Sequence, residues 1–420
     1  MHLIEKYSLN CGINPSKLDR AEIFSSYYPI PYNKYIVFHA SSGMPAKNYS
    51  YYQDVIDFIY ESAIKKGYGF VQIGGADDKN LNRCLNLNGK TNIFQTSFIL
   101  KNASLLVAND SFSTHICSSY KTPSVSLYSV IQPEVAGPYW NNGNQLTIMA
   151  PLNGNKPSYS REDPEKIVDN IKPEEIIENI KKLLPDIFTE NSFIPSTLFI
   201  GKGYKSQSVD IVPDHNLKPN IPDNFPINLR FDLLKKKVSD ENFLSAIINT
   251  ENKKFFVTLS SEVDVFKILN NQNQQNLLSI LVNINEENYS NKNNLKKLCE
   301  EIKKKGAPLR VIYESRNLSE KQIGDLKLDF LDVAPLIEKK EDKEQEKLFL
   351  EALKEANDLT LFKSSHILFS SGKIFLSEES YRENQTSTYS YQSLNTIKNK
   401  SLLARECDNL YLYNSNYAKN

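Results

Sequence analysis

The chain has 420 residues, a length typical of about two or three domains. Its 50 basic and 50 acidic side chains balance, which argues against a protein that coats nucleic acid or an anionic membrane with a basic surface. A hydrophobic fraction of 40%, with no apolar run near the roughly 20 residues that span a bilayer, indicates a soluble globular chain.

The five cysteines are far apart in the sequence, and no Cys or His spacing typical of a zinc site occurs. The N-terminal segment is polar and lacks the basic and apolar regions of a signal peptide. We therefore expect reduced thiols, no metal site and a cytoplasmic location.

The first part of the chain alternates short apolar runs with helical patterns. Strands are predicted at 35–40, 70–73, 104–108 and 124–128, and helices at 48–66, 92–102, 113–120 and 173–184. Such alternation predicts an α/β domain of Rossmann type, with a parallel sheet and helices on both faces, over residues 1–187.

Two short strands, 197–200 and 208–212, are predicted within a proline-containing stretch at 186–226, and beyond it the alternation of strands and helices returns. Strands are then predicted at 255–259, 277–282, 309–313 and 330–333, and helices at 263–269, 295–305, 320–326 and 342–357. These elements predict a second α/β domain of unknown role at 188–382. The polar, tyrosine-rich residues 383–420 have no clear period and predict a tail or irregular cap.

Three predicted strand ends in the first domain carry residues suited to a phosphate group, and parallel sheets bind ligands at these ends. The candidates are Ser41, Ser42, Lys47, Gly74, Gly75, Asp110, Ser111, Ser113, Thr114 and His115. A helix N-terminus, hydroxyl donors and a lysine together favour binding of a diphosphate.

Each candidate also fits a purely structural role. Asp110 or Ser111 suits the N-cap of its helix, and His115 suits a partly buried, satisfied histidine. Lys47 suits a solvated side chain, and the two glycines at 74–75 suit a tight turn. Their convergence on one edge of one predicted sheet favours the binding site.

The same stretches resemble a known family. The segment LNGKTNIFQTSFILKNASLLVANDSFSTHICSSYKTPSVSLYS, followed by PYW, resembles the C-terminal half of the heptosyltransferase-type glycosyltransferases, family 9. Upstream, HASSGMPAKNYSYYQDVIDFI and VQIGGADD resemble that domain's first strand with its lysine and its next strand with paired glycines. The resemblance covers residues 1–187, so it implies the nucleotide-sugar-binding domain of that family alone.

The resemblance implies a GT-B half-fold that binds a nucleotide-diphosphate-sugar without a metal or other cofactor. If the matching positions keep their family roles, Lys47 and residues 110–115 would hold the diphosphate and sugar. The glycines at 74–75 would lie near the base or ribose. Two positions depart from the family pattern: Phe112 and Ser129 stand where glycines are usual.

Family members of GT-B type have a preceding acceptor domain that supplies an acidic base, whereas only about 33 residues precede the first predicted strand. Residues 200–400 could serve as the acceptor half, a partner protein could supply it, or the domain only binds. The candidate bases are Asp210, Asp214, His215 and Asp232, each of which also fits a turn or cap.

The sequence thus predicts a glycosyltransferase that moves a sugar from a nucleotide-diphosphate donor to an unknown hydroxyl acceptor, a glycan or another molecule. The alternative is a non-catalytic binding or assembly module derived from that fold. A different nucleotide-using enzyme such as an epimerase is less favoured, since no G-x-G-x-x-G turn is present. No nucleic-acid or membrane partner is indicated.

Overall fold

The structure is a computed structural model. The residues that it describes are 1–15, 20, 23–163, 165–189, 194–205, 208–214, 227–234, 254–260, 276–313, 318–330, 333–335, 343–376, 378–382, 384, 392–394, 403–404 and 406–415. The chain forms two compact units, Met1–Thr197 and Leu198–Asn420. The helix predicted at 263–269 lies outside the described residues.

A six-stranded parallel sheet forms the centre of the first unit, in the order β3-β2-β1-β4-β5-β6. Its strands are β1 Lys34–His39, β2 Tyr68–Gln72, β3 Leu85–Asn86, β4 Leu105–Asn109, β5 Ser124–Tyr128 and β6 Gln145–Met149. The parallel α/β fold predicted for this part of the chain is confirmed. The sequence pattern did not reveal β3, which has two residues, or β6.

Helices cover both faces of this sheet. They are α1 Leu3–Asn10, α2 Tyr52–Lys65, α3 Ile93–Lys101, α4 Phe112–Tyr120, α5 Pro133–Ala136 and α6 Pro173–Leu183. Alternate strand residues such as Val37 and Leu106 pack with α3 and α4 in one buried cluster. On the other face Phe38 packs edge-on against Tyr52 of α2, with 6.1 Å between the ring centroids.

Local sequence fixes the ends of several helices. The side chain of Asn92 accepts a hydrogen bond from the backbone N–H of Gln95 at 2.9 Å, and the Gln95 side chain accepts one from the backbone N–H of Asn92 at 3.0 Å. Pro173 begins α6, where its missing N–H costs nothing. Helix α2 begins at Tyr52, four residues later than predicted.

The strand order reverses between β1 and β4, which are neighbours in the sheet although two strands separate them in sequence. The connections leaving these two strands run to opposite faces, so a crevice opens outside their carboxyl ends. This edge of the sheet is therefore where the fold places a ligand site.

The second unit contains an eight-stranded sheet in the order β13-β12-β11-β10-β9-β8-β15-β16, parallel except for β16. Its strands are β8 Ser208–Ile211, β9 Ile227–Arg230, β10 Phe255–Leu259, β11 Leu277–Ile284, β12 Leu309–Tyr313, β13 Val333–Pro335, β15 His366–Ser370 and β16 Lys373–Phe375. Successive strands from β8 to β13 lie side by side. One face packs apolar side chains against helices α7 Lys292–Lys304 and α8 Glu320–Asp329.

A four-stranded sheet in the order β17-β14-β18-β7 combines segments distant in sequence. It consists of β7 Ser196–Ile200, β14 Thr360–Ser364, β17 Gln392–Ser393 and β18 Leu410–Asn414, and its core includes Phe349 of helix α9, Lys343–Glu355. The last described helix is α10, Glu378–Arg382.

One prediction for the second half is wrong, and the bounds of another are shifted. Residues 410–414 are not part of a polar tail: Leu410 to Tyr413 are at most 3% exposed, and β18 pairs antiparallel with β14. Tyr411 and Tyr413 are buried with their ring centroids 5.1 Å apart, so a tyrosine-rich sequence is not a sign of exposure here. The strand predicted at 330–333 is β13, which covers Val333–Pro335.

No helix among the described residues combines the length and the apolar character that crossing a membrane requires.

Candidate functional site

Asn109, the last residue of β4, joins the loops that leave β1 and β4. Its side-chain amide donates to the carbonyl oxygen of Ala40 at 2.8 Å, and its carbonyl oxygen accepts from the hydroxyl of Tyr52 at the same distance. Asn109 is fully buried, so both bonds are shielded from water. The two loops of the β1–β4 edge are thereby held in a fixed relation.

Lys47 and Asp110 form an ion pair at this edge. Lys47 ends a short 3-10 turn, Pro45–Lys47, after β1, and Asp110 follows β4 directly. The Lys47 Nζ lies 2.5 Å from the Asp110 Oδ2, with the side chains 16% and 7% exposed. The structure therefore brings together two predicted site residues that are 63 positions apart in sequence.

Ser111 occupies the N-cap position of α4, but its hydroxyl does not cap the helix. Instead the Ser111 and Ser113 hydroxyls each lie 2.9 Å from the Nδ1 of His39 and 2.9 Å from one another. His39 is the last residue of β1. Because the Ser111 side chain is turned toward His39, it does not bond to the backbone N–H groups at the N-terminus of α4.

Burial lowers the pKa of His39 to about 4, and the nearby carboxylate of Asp78 only partly opposes this. The imidazole is therefore neutral at pH 7, and its Nδ1 can accept a hydrogen bond from a serine hydroxyl. The two serine hydroxyls and one neutral ring form a closed hydrogen-bonded group that fixes the first turn of α4.

The depressed pKa of His39 predicts a loss of stability in mild acid. Unfolded histidine binds a proton below about pH 6.5, whereas His39 resists it until about pH 4, so stability present at pH 7 is lost across this window. We expect the free energy of unfolding to fall by about 2 kcal/mol from pH 6.5 to pH 5 on this account. Urea unfolding, followed by the fluorescence of Trp140 in the first unit, measures it.

The variant His39→Asn should lack that component, because asparagine does not titrate but can still bond to the serines. Burial also lowers the pKa of His115, which contributes in the same direction, so His115→Gln serves as a separate control. An unchanged pH dependence in His39→Asn would show that the buried imidazole is not its source.

Thr114 and His115 complete the first turn of α4. The Thr114 hydroxyl donates to the carbonyl oxygen of Ser111 at 2.8 Å, so it stabilises the turn. The pKa of His115 is lowered first by burial, while the Asp110 carboxylate opposes the shift and His2 and Lys47 reinforce it. His115 therefore lies within electrostatic range of the Lys47–Asp110 pair and is predominantly neutral at pH 7.

The other predicted residues after β1 and β2 are tied to nearby side chains. The Ser41 hydroxyl donates to the carboxylate of Asp78, and the same oxygen accepts from the backbone N–H of Gly75 at 2.6 Å. A Cβ on Gly74 would overlap this carboxylate and the Asn88 amide oxygen, so a larger residue here would have to displace these two side chains. The Ser42 backbone N–H and hydroxyl donate to the side-chain oxygen of Asn48, at 2.7 and 3.0 Å.

Three contributors, Asp78, Asn109 and the ring of His39, were not among the predicted site residues. Asn109 and His39 end strands at the sheet edge, which is a usable signal. Asp78 lies in a loop, and nothing in its local pattern distinguishes it from the adjacent Asp77.

A cavity of about 340 Å³ borders the turn that carries Lys47. Its lining residues are Pro45, Ala46, Asn48, Glu162, Asp163 and Lys166. The Lys166 Nζ donates to the Ser50 hydroxyl at 2.5 Å, which fixes it beside the opening. The volume is in the range of small-molecule sites.

The candidate bases of the second unit are already engaged by neighbouring donors. Asp214 is exposed and accepts from the Ser370 hydroxyl at 2.6 Å and the Ser371 backbone N–H at 2.8 Å. Asp210 and Asp232 are buried and paired with Arg230. His215 lies outside the described residues.

No cluster of three or more His, Cys, Asp or Glu side chains suited to a metal ion is found within the described part of the chain.

Comparison with known proteins shows which family part of the first unit resembles. Residues 13–168 match glycosyltransferase family 9 (heptosyltransferase). Lipooligosaccharide heptosyltransferase 2 of Haemophilus influenzae is 27% identical over 158 residues, which are 33% of this chain and 44% of that protein.

Two solved structures are similar at low identity. The E. coli ADP-heptose LPS heptosyltransferase II is 22% identical, with 43% of this chain and 51% of that one covered and a TM-score of 0.30. A family 9 glycosyltransferase from Veillonella parvula is 18% identical, with 43% and 50% covered and a TM-score of 0.30. The chain matches about half the length of these relatives. Residues 13–168 thus form a domain like those of glycosyltransferase family 9.

Proposed function

We propose that the first unit binds a nucleotide-diphosphate-sugar and that the protein transfers this sugar to an acceptor hydroxyl. In this proposal residues 1–187 correspond to the nucleotide-sugar-binding half of the family 9 enzymes. The main observation in support of the proposal is that Lys47 and Asp110 lie beside the first turn of α4, whose N-cap serine is turned toward His39.

This arrangement suits a diphosphate for two reasons. The N-terminus of α4 offers backbone N–H groups and the positive end of the helix dipole, and Ser111 leaves them uncapped by its side chain. Lys47 adds a positive charge beside them. An incoming diphosphate would share that charge with Asp110, whose carboxylate could then accept from a sugar hydroxyl.

The remaining predicted residues would shape the rest of the donor site. Ser41, Gly74 and Gly75 converge on the Asp78 carboxylate. We assign this corner to the ribose or base, because a carboxylate accepts from hydroxyl and amino groups. Ser42, Ser113 and Thr114 hold the surrounding loops.

The proposed reaction needs no redox cofactor. The acceptor oxygen attacks the anomeric carbon and forms the new glycosidic bond, the bond from that carbon to the diphosphate breaks, and the acceptor proton passes to a base. Negative charge grows on the departing diphosphate, and Lys47 and the N-terminus of α4 stabilise it. The metal-independent character of this step is part of the proposal.

The base and acceptor are assigned only by class. Asp214 and Asp232 remain candidates from the sequence, but their present hydrogen bonds do not favour proton transfer. A partner protein that supplies the acceptor half is a further possibility within the proposal. We also propose a cytoplasmic location: none of the five cysteines, all of them in the described part of the chain, forms a disulfide.

Titration calorimetry on the full chain tests donor binding. The ligands are ADP, UDP, GDP and CDP, the corresponding nucleotide-glucose compounds, and ADP-heptose, which is named for the E. coli relative. We expect at least one diphosphate to bind, and its sugar conjugate to bind as well. Binding of no compound would overturn the proposal.

The engaged state of the three described base candidates, Asp210, Asp214 and Asp232, favours one second candidate function, a non-catalytic module that binds the same donor. Release of nucleoside diphosphate from the tightest-binding sugar conjugate separates the two functions. Turnover, with or without glycan acceptors, supports the transferase. Tight binding without release in any condition supports the module.

A further inference from the structure

Phe112 is an exposed aromatic residue in the middle of the proposed donor site. It is the first residue of α4, directly after Ser111, and its side chain is 46% exposed. Glycine is usual here in the family pattern that the sequence resembles. The ring therefore has no role in the buried core of the first unit.

Although it is exposed, the ring is held in place. Its centroid lies 5.1 Å from that of His39, with an angle of 66° between the ring planes. His39 is itself fixed through Nδ1 to the hydroxyls of Ser111 and Ser113. An edge-to-face contact of this kind orients an aromatic ring and leaves part of it open to other contacts.

We propose that Phe112 is a stacking platform for a ring of the bound donor, either its sugar or its base. The inference rests on the proposed function, because it takes the diphosphate to lie at the N-terminus of α4. The groups on either side of a diphosphate are only a few bonds away, so a ring attached to it comes within reach of the first helical residue. Bases have apolar faces, and so do sugar rings on their C–H sides.

The expected contribution is measurable. Alanine substitution of an aromatic side chain that stacks on a base typically weakens binding by about 1–3 kcal/mol, which corresponds to roughly 5- to 150-fold. A phenylalanine that merely covers His39 would instead affect thermal stability and leave ligand affinity unchanged.

The experiment compares Phe112→Ala with Phe94→Ala. Phe94 is also 46% exposed, lies in the first turn of α3 and packs edge-on against Phe24 at 5.3 Å, so it is a matched control. Calorimetry uses the tightest-binding nucleoside diphosphate of the panel above and its sugar conjugate. We expect Phe112→Ala to bind the conjugate at least about fivefold more weakly and Phe94→Ala to bind as the wild type.

The two ligands identify the ring. Equal weakening for diphosphate and conjugate assigns the stacked ring to the base, and weakening for the conjugate alone assigns it to the sugar. Phe112→Trp should retain affinity and give a fluorescence change on binding beyond that of Trp140, the chain's single native tryptophan.

The result that overturns the inference alone is wild-type affinity of Phe112→Ala for both ligands while Lys47→Met still weakens binding. If the wild-type chain binds no compound of the panel, the proposed function fails, and this inference fails with it.

Discussion

Replacing Lys47 with methionine is expected to weaken donor binding about 100-fold and to slow any sugar transfer by about 10²- to 10³-fold. Methionine keeps much of the length of the side chain and removes its charge. The Nζ of Lys47 is the cation held 2.5 Å from Asp110, in a site where both side chains are largely buried. Charge on the departing diphosphate would lose its nearest counter-ion in such a site, where electrostatic effects are strong.

Two single variants serve as controls for this prediction. Lys47→Arg retains the charge and should retain much of the binding. Lys34→Met removes a lysine that is 54% exposed and lies 3.7 Å from Asp186, and it should bind donor as the wild type does. Calorimetry and release of nucleoside diphosphate provide the readouts.

A double variant separates ligand contact from loss of the ion pair. Lys47→Met leaves the Asp110 carboxylate without its cation, and this carboxylate alone could repel a diphosphate. Asp110→Asn in the Lys47→Met background removes that repulsion. If Lys47 contacts the donor, binding stays weak in the double variant. Full recovery would show that Lys47 acts only by neutralising Asp110.

The sequence predicted which of the candidate residues share one edge of the sheet. In a parallel sheet the residues after each strand share one edge, so apolar runs ending at 40 and 108 were sufficient to bring Lys47 and Asp110 to one place. The short buried strands β1 and β4 were recognisable as nearly continuous apolar runs because both of their faces are covered.

Side-chain pairing within that edge could not be predicted. The turning of Ser111 toward His39 depends on the distance between the ends of two strands, and the hydrogen bond from Ser41 to Asp78 depends on the path of a loop. An N-cap serine normally bonds to its own helix, so local sequence favours the other geometry.

Strand β18 was missed for a related reason. Its partner β14 lies about 50 residues away, and both faces of β18 are buried, so leucine and tyrosine alternate without a change from buried to exposed. The alternation of buried and exposed residues that identifies a half-exposed strand is therefore absent from β18. Recognition of this strand required knowledge of the four-stranded sheet.

Arg230 is the centre of a buried ion cluster in the second unit, and its replacement by leucine should strongly destabilise that unit. Its guanidinium donates to both carboxylate oxygens of Asp232 at 2.8 and 2.7 Å, to Asp210 at 2.8 Å and to Glu378 at 2.7 Å. Arg230 is 7% exposed. Removal of one member of a buried pair typically costs about 3–5 kcal/mol, because the remaining charges stay buried.

Hydrogen exchange of the β8–β11 amides and urea unfolding measure this loss. Lys292→Met is the matched control, since Lys292 lies 2.7 Å from Asp329 in a pair that is 24% and 31% exposed. A surface pair of this kind contributes about 0–1 kcal/mol. Equal losses in Arg230→Leu and Lys292→Met would contradict a special role for the buried cluster.

The pH dependence distinguishes lost charge pairing from lost packing. Burial raises the pKa of Glu378, but Arg230 and Arg382 outweigh it and hold the pKa below its usual value. The wild type therefore keeps this contribution above about pH 4.5 and loses it as the pH falls further. In Arg230→Leu the Glu378 carboxylate lacks the buried cation, so its pKa should rise and it should take up a proton in mild acid. The difference in unfolding free energy between wild type and Arg230→Leu should then narrow from pH 7 to pH 4.

A difference that stays constant with pH would assign the loss of stability to packing. Added Asp210→Asn and Asp232→Asn substitutions would then restore no stability.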